Sequence, residues 1–461
     1  MQVPIPRAAL ALLLVSALIP CASGAQPEDA GAFQFTKEDL KVLEECGVIE
    51  RQFERRALVY HEEALEEHLQ AAAHSLPPIS NTGNAQWRVG VLRDPAVSAF
   101  GLPNGTIYVT TGLLGVLEND DQLAGVLGHE IVHVMNHDGY EAMREYRKKM
   151  TKREVIMAAA AGSVAVAGLG GLVISEALMA SINASPEEPL VVAAISGYDT
   201  DVERRADQGA VAMMIHAHRD PAQISKALER MREKFESEAI PTFYSTSDNI
   251  DERLAYLRQV AGQGAAPSAP AQDRDLQGMP PAVGGAAYFK VIQEAVRQDV
   301  RMNINSRRFR NAVFQANWLV TAHPDDAADL CLLAEAYRFL GPRSQKATPD
   351  ERSASVRHKE EKQSQKLTGE EEDKFLASTV EGRAALESNR ARTEELYKRA
   401  ADKDRGGAKP HLGLGLLYEQ QGHAEEARSE YRMYLELAPE APDKLRVQRR
   451  LKSLDQPAGG K

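Results

Sequence analysis

His129-Glu130-Ile131-Val132-His133 places two imidazoles four residues apart with a carboxylate beside them. On an α-helix, positions i and i+4 project from one face, so both rings can reach a single divalent cation. With zinc as that cation, Glu130 lies next to the ligands, placed to take a proton from the attacking water. Twelve histidines and 66 acidic residues in 461 give roughly 0.04 accidental matches to this pattern in the whole chain. A catalytic zinc takes three protein ligands and keeps a fourth position open. Glu203, in Asp201-Val202-Glu203-Arg204-Arg205-Ala206-Asp207, is the expected third ligand of one zinc ion. Asp207 follows four residues later on the same helix face, where it can accept the second N–H of a ligating histidine. The competing reading pairs Glu203 and Asp207 with Arg204, Arg205 or Arg219 as surface salt bridges. His137 is the alternative third ligand. Three ligands on one straight helix splay along its axis, so His137 is assigned a supporting role. Arg253 and His218 are the candidates for steadying an oxyanion.

These side chains need a scaffold. The apolar spacing predicts one or two helices over 35–74, closed by Pro77-Pro78. Trp87–Leu92 and Thr106–Thr110 alternate as strands, with Pro103-Asn104-Gly105 as the turn between them. That pairing predicts a small antiparallel sheet, in which 106–110 holds an extended peptide by edge pairing. Helices are expected from Gly112, over 121–137, over 198–217 and over 221–235. Val155–Ser175 is 21 residues without a charge, twelve of them Ala, Gly or Ser. Small residues favour close helix packing inside a protein, a helical hairpin, over a membrane span; lipid contact by 155–175 is the other reading.

The two ends carry different signals. Arg7, the apolar run Ala8–Ile19 and the small residues Ala22-Ser23-Gly24 form a secretory signal over 1–24, cut after Gly24 or Ala25. Retention as an anchor is the alternative, and Pro20 argues against a lipoprotein at Cys21. Helices over 25–78 and a zinc peptidase domain over 79–261 come next. Residues 262–287, rich in Gly, Pro and Ala, read as a linker. Over 288–456 a tetratricopeptide (TPR) pattern appears, with Gly415, Tyr418, Ala427, Tyr431 and Pro439 at the offsets of one helix pair. Tyr397 precedes Tyr431 by 34, and Leu330, Leu333, Ala334, Tyr337 and Gly341 match an earlier first helix. Tyr337 to Tyr418 is 81 residues and Pro324 to Pro439 is 115, one and two 34-residue periods plus the same 47-residue insertion, placed at 342–388. Its charged run is a solvated helix or loop. After signal removal Cys46 and Cys331 remain, read as two buried thiols, with a cross-domain bridge as the alternative.

Composition sets outer limits. Hydrophobic residues at 43% and charged residues at 26% describe a globular chain. A formal net charge of -11 argues against nucleic-acid partners, which require a basic face.

The chain resembles the gluzincin peptidases that include the CAAX prenyl proteases and the Oma-type mitochondrial proteases. They carry HExxH and a following Glu-x-x-Ala-Asp helix, here Glu203-Arg204-Arg205-Ala206-Asp207. The likeness extends to Ser98-Ala-Phe-Gly-Leu-Pro-Asn-Gly105, Thr111-Gly-Leu-Leu114 and Leu123-Ala-Gly-Val-Leu-Gly-His129, about residues 85–260. With the export signal and C-terminal repeats, the architecture resembles most the periplasmic β-barrel assembly-enhancing branch. The resemblance implies a mainly helical zincin-type α+β peptidase domain followed by an α-helical TPR solenoid. It also implies protein or peptide substrates among misfolded or stalled envelope proteins, and outer-membrane assembly machinery as a partner of the repeats. A TPR adaptor or chaperone in which proteolysis is secondary is the alternative. Two departures stand out. The group often has Tyr-Ser-Arg where this chain has Tyr198-Asp199-Thr200. Ser247-Asp248 occupies the loop where the assembly-enhancing branch has a His-Pro whose histidine can close the zinc site; Ser247 is a poor substitute, and Asp248 is the other capping candidate.

Overall fold

Helix α1 (Lys37–Arg55) begins at Thr36, whose hydroxyl accepts from the Asp39 N–H while the Asp39 carboxylate accepts from the Thr36 N–H. The structure, a computed structural model, describes residues 33–78, 87–149, 198–238, 247–261, 285–341 and 377–455. The expected signal, the uncharged stretch 155–175, nearly all of the linker and most of the insertion lie outside the described residues. Met1–Phe35 is a unit of its own, of which only 33–35 are described, and Thr36–Lys461 is the other.

The helices expected before Pro77 are two, α1 and α2 (Glu63–His74), joined by a segment that runs along the first strand. There the Tyr60 N–H donates to the Val91 carbonyl and the Arg93 N–H to the Leu58 carbonyl. The sheet has three strands, β1 (Arg88–Leu92), β2 (Ala99–Gly101) and β3 (Thr106–Thr110), in the order β1-β3-β2. It is mixed, not antiparallel: β1 pairs parallel with β3, Arg88 opposite Thr106, and β2 pairs antiparallel with β3. The reason lies in the connection. Pro103-Asn104-Gly105 turns β2 into β3, and the whole of 93–105 is the crossover that a parallel pair requires. β3 is therefore the central strand, flanked on both sides, and the expected edge pairing of a peptide with 106–110 has no free edge to use.

A short helix, α3 (Thr111–Leu114), continues directly from β3, capped by the Thr110 hydroxyl accepting from the Leu113 N–H. Helix α4 (Asp120–Met135) starts where the Asn119 side chain accepts from the Asp121 and Gln122 N–H groups. It is buried almost all round, and packs against α2, the sheet, α6 (Thr200–His216) and α7 (Ala222–Glu238). Between them comes α5 (Asp138–Lys149), and α8 (Ser247–Val260) follows α7 and packs on α6. The N-terminal arm is tied to this layer by one buried carboxylate: Arg144 of α5 grips Asp39 with Nε 3.0 Å from Oδ1 and Nη2 2.5 Å from Oδ2.

Seven helices complete the described chain: α9 (Gly285–Asn305), α10 (Phe309–Ala322), α11 (Ala327–Phe339), α12 (Val380–Lys403), α13 (Ala408–Gln421), α14 (Ala424–Leu437) and α15 (Lys444–Leu454). Each packs on the next, and α9 also touches α11, as α11 touches α13. Helix α12 starts at Val380, inside the interval read from the repeat spacing as insertion, because Thr379 caps it and Ala385 is buried. The apolar core is continuous from α2 and the sheet through α4 and α6 into these helices. Cys331 lies in it and Cys46 is buried on α1; both are free thiols, each pushed up to about 12 by burial. Among the described residues, no helix is long and apolar enough to cross a membrane.

The Arg144 guanidinium holds the Asp39 carboxyl down at about 2, against the pull of burial. A carboxyl lowered on folding contributes stability above its unfolded value, and loses it as pH falls through the folded one. Thermal unfolding followed from pH 7 to pH 2 should show Asp39→Asn less stable than the parent at neutral pH. The gap should close between about pH 4 and pH 2.

Candidate metal centre

The Asn119 cap fixes where α4 begins, and three turns later the helix presents His129 and His133 on one face. Helix α6 is fixed the same way by Asp199, which accepts from the Asp201 and Val202 N–H groups. Fully buried Ala206 and Ala210 leave room for α4, and the close packing brings Glu203 over the two imidazoles. Ligand atoms of His129, His133 and Glu203 all lie within 4.8 Å of one another, the three-residue group expected from the sequence. Nε2 of His129 is 3.0 Å from Nε2 of His133 and 3.3 Å from Oε2 of Glu203; Nε2 of His133 is 3.9 Å from Oε1 of Glu203.

The far side of each ring decides what those Nε2 atoms are. Asp207 accepts from Nδ1–H of His129 at 3.0 Å, and Asp138 accepts from Nδ1–H of His133 at 2.8 Å. With the protons on Nδ1, both Nε2 atoms turn lone pairs toward the same point, a carboxylate beside them. Lone pairs converging in a buried site call for a cation. Oε2 of Glu203 is a buried oxygen that makes no hydrogen bond, with Nε2 of His129 and Nη1 of Arg253 each 3.3 Å away. Two imidazoles and a carboxylate are a donor set for catalytic zinc, so the residues fit the ion. Burial would lower His129 and raise Glu203 and Asp207, yet the two carboxylates raise His129, and His129 and Arg253 lower both carboxylates, so the field at this point favours a positive charge, be it a proton or a metal ion.

Asp207, the expected partner of a ligating histidine, therefore sits on His129. Arg253 comes from α8 and lies on the carboxylates rather than facing the ligand position: Nε and Nη2 are 2.9 and 2.7 Å from the Asp207 oxygens, and Nη1 is 3.3 Å from Oε2 of Glu203. Its role in this geometry is to hold two carboxylates in place. His218 is exposed beyond the C-terminus of α6, fifteen residues from Glu203 and so about 20 Å along the axis. His218 is not brought to the site. His137 is not among the three-residue group either; it stands in the break after α4, with φ of 61°. Ser247 begins α8, and its side chain and that of Asp248 lie outside the described residues.

Glu130 is buried between α4 and β2. Burial raises its carboxyl against the opposing pull of both histidines, and the Gly101 backbone N–H bonds to it. A Cβ on Gly101 would meet Val134 at 3.0 Å and stand 3.7 Å from Oε2 of Glu130, so the strand passes this close because residue 101 has no side chain. Two contributors escaped the sequence reading. Asp138 follows His133 by five residues, an offset that shares no face on one helix. Its signal, a helix break at Asn136-His137, carries no glycine or proline to mark it. Tyr198 lays its ring on His133, centroids 4.3 Å apart, and its backbone N–H donates to Oε1 of Glu203 at 3.0 Å.

Residues 62–261 match peptidase family M48. Among curated proteins, the chain is similar to the mitochondrial metalloendopeptidase OMA1 of Schizosaccharomyces pombe, 40% identical over 55 residues, 12% of this chain and 16% of that protein. It is 37% identical over 71 residues to the OMA1 metalloendopeptidase of Danio rerio, 15% of each chain. A Vibrio cholerae protein assigned as a beta-barrel assembly-enhancing protease is 24% identical over 209 residues, 44% of this chain and 41% of that one. The chain thus spans less than half the length of these relatives.

Competition against a graded chelator should show one tight zinc per chain, and Glu203→Gln should abolish it. Asp138→Asn and Asp207→Asn should each weaken zinc binding on the order of 10–100-fold, since each orients one ligating ring. Equal affinity in Asp138→Asn and the parent would remove Asp138 from the site.

Proposed function

We propose that this chain is an exported zinc metalloendopeptidase that cleaves misfolded or stalled proteins of the cell envelope, with α9–α15 acting as a TPR array that recruits clients or assembly machinery. The observation that carries the peptidase reading is the convergence of His129, His133 and Glu203 at one point with a buried Glu130 alongside. The family match over 62–261 and the metalloendopeptidase relatives support it.

Zinc held by His129, His133 and Glu203 would supply a Lewis acid that polarises a peptide carbonyl and makes water acidic enough to be deprotonated near neutral pH. Glu130 takes that proton and later hands it to the leaving amine. Burial, which raises its carboxyl, suits a group that must hold a proton between the two steps. The Gly101 N–H fixes the direction of the Glu130 carboxylate. Asp207 and Asp138 keep both rings in the tautomer that ligates. Arg253 ties Asp207 and Glu203 together from α8, so the carboxylates keep their spacing whichever way substrate enters. Tyr198 walls His133 on its open face.

The TPR reading rests on spacing and is supported by the packing of the helices in chain order. Gly415 and Tyr431, at signature offsets, meet where a Cβ on Gly415 would stand 2.6 Å from the Tyr431 ring, and Ala427 is fully buried. Envelope clients are proposed from the apolar leader 1–24 and from the name of the Vibrio relative. The periplasm is the compartment this implies.

Glu130→Gln should keep its zinc and lose cleavage of unfolded casein by at least about 100-fold, the low end of what a positioned acid–base group contributes. A zinc-loaded Glu130→Gln enzyme that still cleaves at the parent rate would overturn the mechanism.

A further inference from the structure

A carboxylate on the first of the C-terminal helices reaches the peptidase layer. Asp299 of α9 is 0% exposed and accepts from three side chains on three helices. Thr111 of α3 lies with Oγ1 2.9 Å from Oδ1, while Asn303 Nδ2 of α9 and Gln315 Nε2 of α10 donate to Oδ2 at 2.9 and 2.6 Å. Asn303 also donates to Oε1 of Gln315 at 3.0 Å, and all four residues are buried. Burying this much polarity is costly even when it is hydrogen-bonded, and here Oδ1 of Asn303 is left without a partner, so the cluster fixes geometry more than it adds stability.

The geometry it fixes leads to the site. Thr111 is the residue after β3. Its hydroxyl also lies 3.0 Å from the Asp94 carbonyl, and the Gly112 N–H donates to that same carbonyl at 2.9 Å. Next to it, the Thr110 hydroxyl donates to the Ala96 carbonyl at 2.5 Å and accepts from the Ser98 N–H at 3.1 Å. The pair Thr110-Thr111 therefore pins 94–98, and 94–98 runs straight into β2, whose Gly101 lies against Glu130, a Cβ there standing 3.7 Å from Oε2 of Glu130. Tyr288 of α9 reinforces the junction by donating to the Leu114 carbonyl at 3.1 Å.

We propose that Asp299 is a positioning residue of the peptidase centre. Acting through Thr111, it sets the segment 94–101 and so the Gly101 contact that aims Glu130, which makes the C-terminal helices part of the catalytic frame as well as a recruiting surface. This rests on the peptidase reading, but the placement of 94–101 is measurable without any cleavage.

The test uses the full zinc-loaded chain. Thr111→Val keeps the shape and removes the hydroxyl; Thr111→Ser restores it; Asp299→Ala removes both acceptor oxygens. Arg297→Gln is the control. It breaks the pair that Arg297 makes with buried Asp329 at 2.7 and 2.8 Å within the same helical region, far from β2 in the hydrogen-bond chain. Hydrogen exchange of the amides over 98–102 should speed about tenfold in Thr111→Val and Asp299→Ala, stay at the parent rate in Arg297→Gln, and return in Thr111→Ser. For a short fluorogenic peptide, kcat should fall about tenfold in the first two with KM within about twofold and zinc content unchanged, the pattern of a misaimed group acting only in the transition state. Arg297→Gln should lower Tm and leave kcat alone. Unchanged exchange over 98–102 in Thr111→Val overturns the proposal whatever the activity, and the same holds if Thr111→Ser behaves like Thr111→Val. Should Asp299→Ala fail to fold, Thr111→Val decides. Faster exchange in a chain that cleaves nothing would uphold the positioning and reject the peptidase reading.

Discussion

Two carboxylates behind two imidazoles govern this molecule. Asp207 and Asp138 accept hydrogen bonds from the Nδ1–H groups of His129 and His133, and with the protons held there the opposite nitrogens offer lone pairs to a shared point. The interaction is short in range but demands much of the fold. Asp207 must come from α6, which packs on α4 through alanines, and Asp138 must come back under α4 after the helix has ended. Arg253, from a third helix, neutralises part of the charge that these groups gather. The layer around α4 can be understood as the support this arrangement needs, and a nearly solvent-free helix is the natural place to hold ligands still.

How much of this could be read from the chain follows from which interactions are local. His129, Glu130 and His133 lie within one helical turn and a bit, and the Glu203–Asp207 offset is again four, so periodicity alone placed each set on a face. Their meeting across more than seventy residues is an inference from chemistry, and the packing of α4 on α6 puts ligand atoms of His129, His133 and Glu203 within 4.8 Å of one another. The sheet was misread for a related reason. Three-residue β2 is too short to declare itself by alternation, and without it the turn at 103–105 was given to the wrong pair of strands. Asp138 was hidden because helical offsets stop applying where a helix stops. Arg253 was visible as a cation near the right place, but which groups it would face is a matter of tertiary packing.

The C-terminal helices change how the layer around α4 should be regarded. Their first member lays Tyr288, Phe289 and Ile292 into the same apolar core that holds α2 and α4, with Asp299 reaching past them to the end of β3. A tethered accessory module would meet its neighbour through a thin polar contact. Here the boundary is a shared interior with a hydrogen-bonded polar knot inside it.

The left-handed turn at His137 has a consequence of its own. A side-chain-bearing residue at φ of 61° stores backbone strain of about 1–3 kcal/mol, tolerated where the surroundings over-determine it. That strain is the lever swinging Asp138 beneath His133. Local relaxation at this joint would carry the carboxylate away and free the imidazole to change tautomer. Cation grip and backbone tension at residue 137 are thus thermodynamically linked, each raising the cost of losing the other.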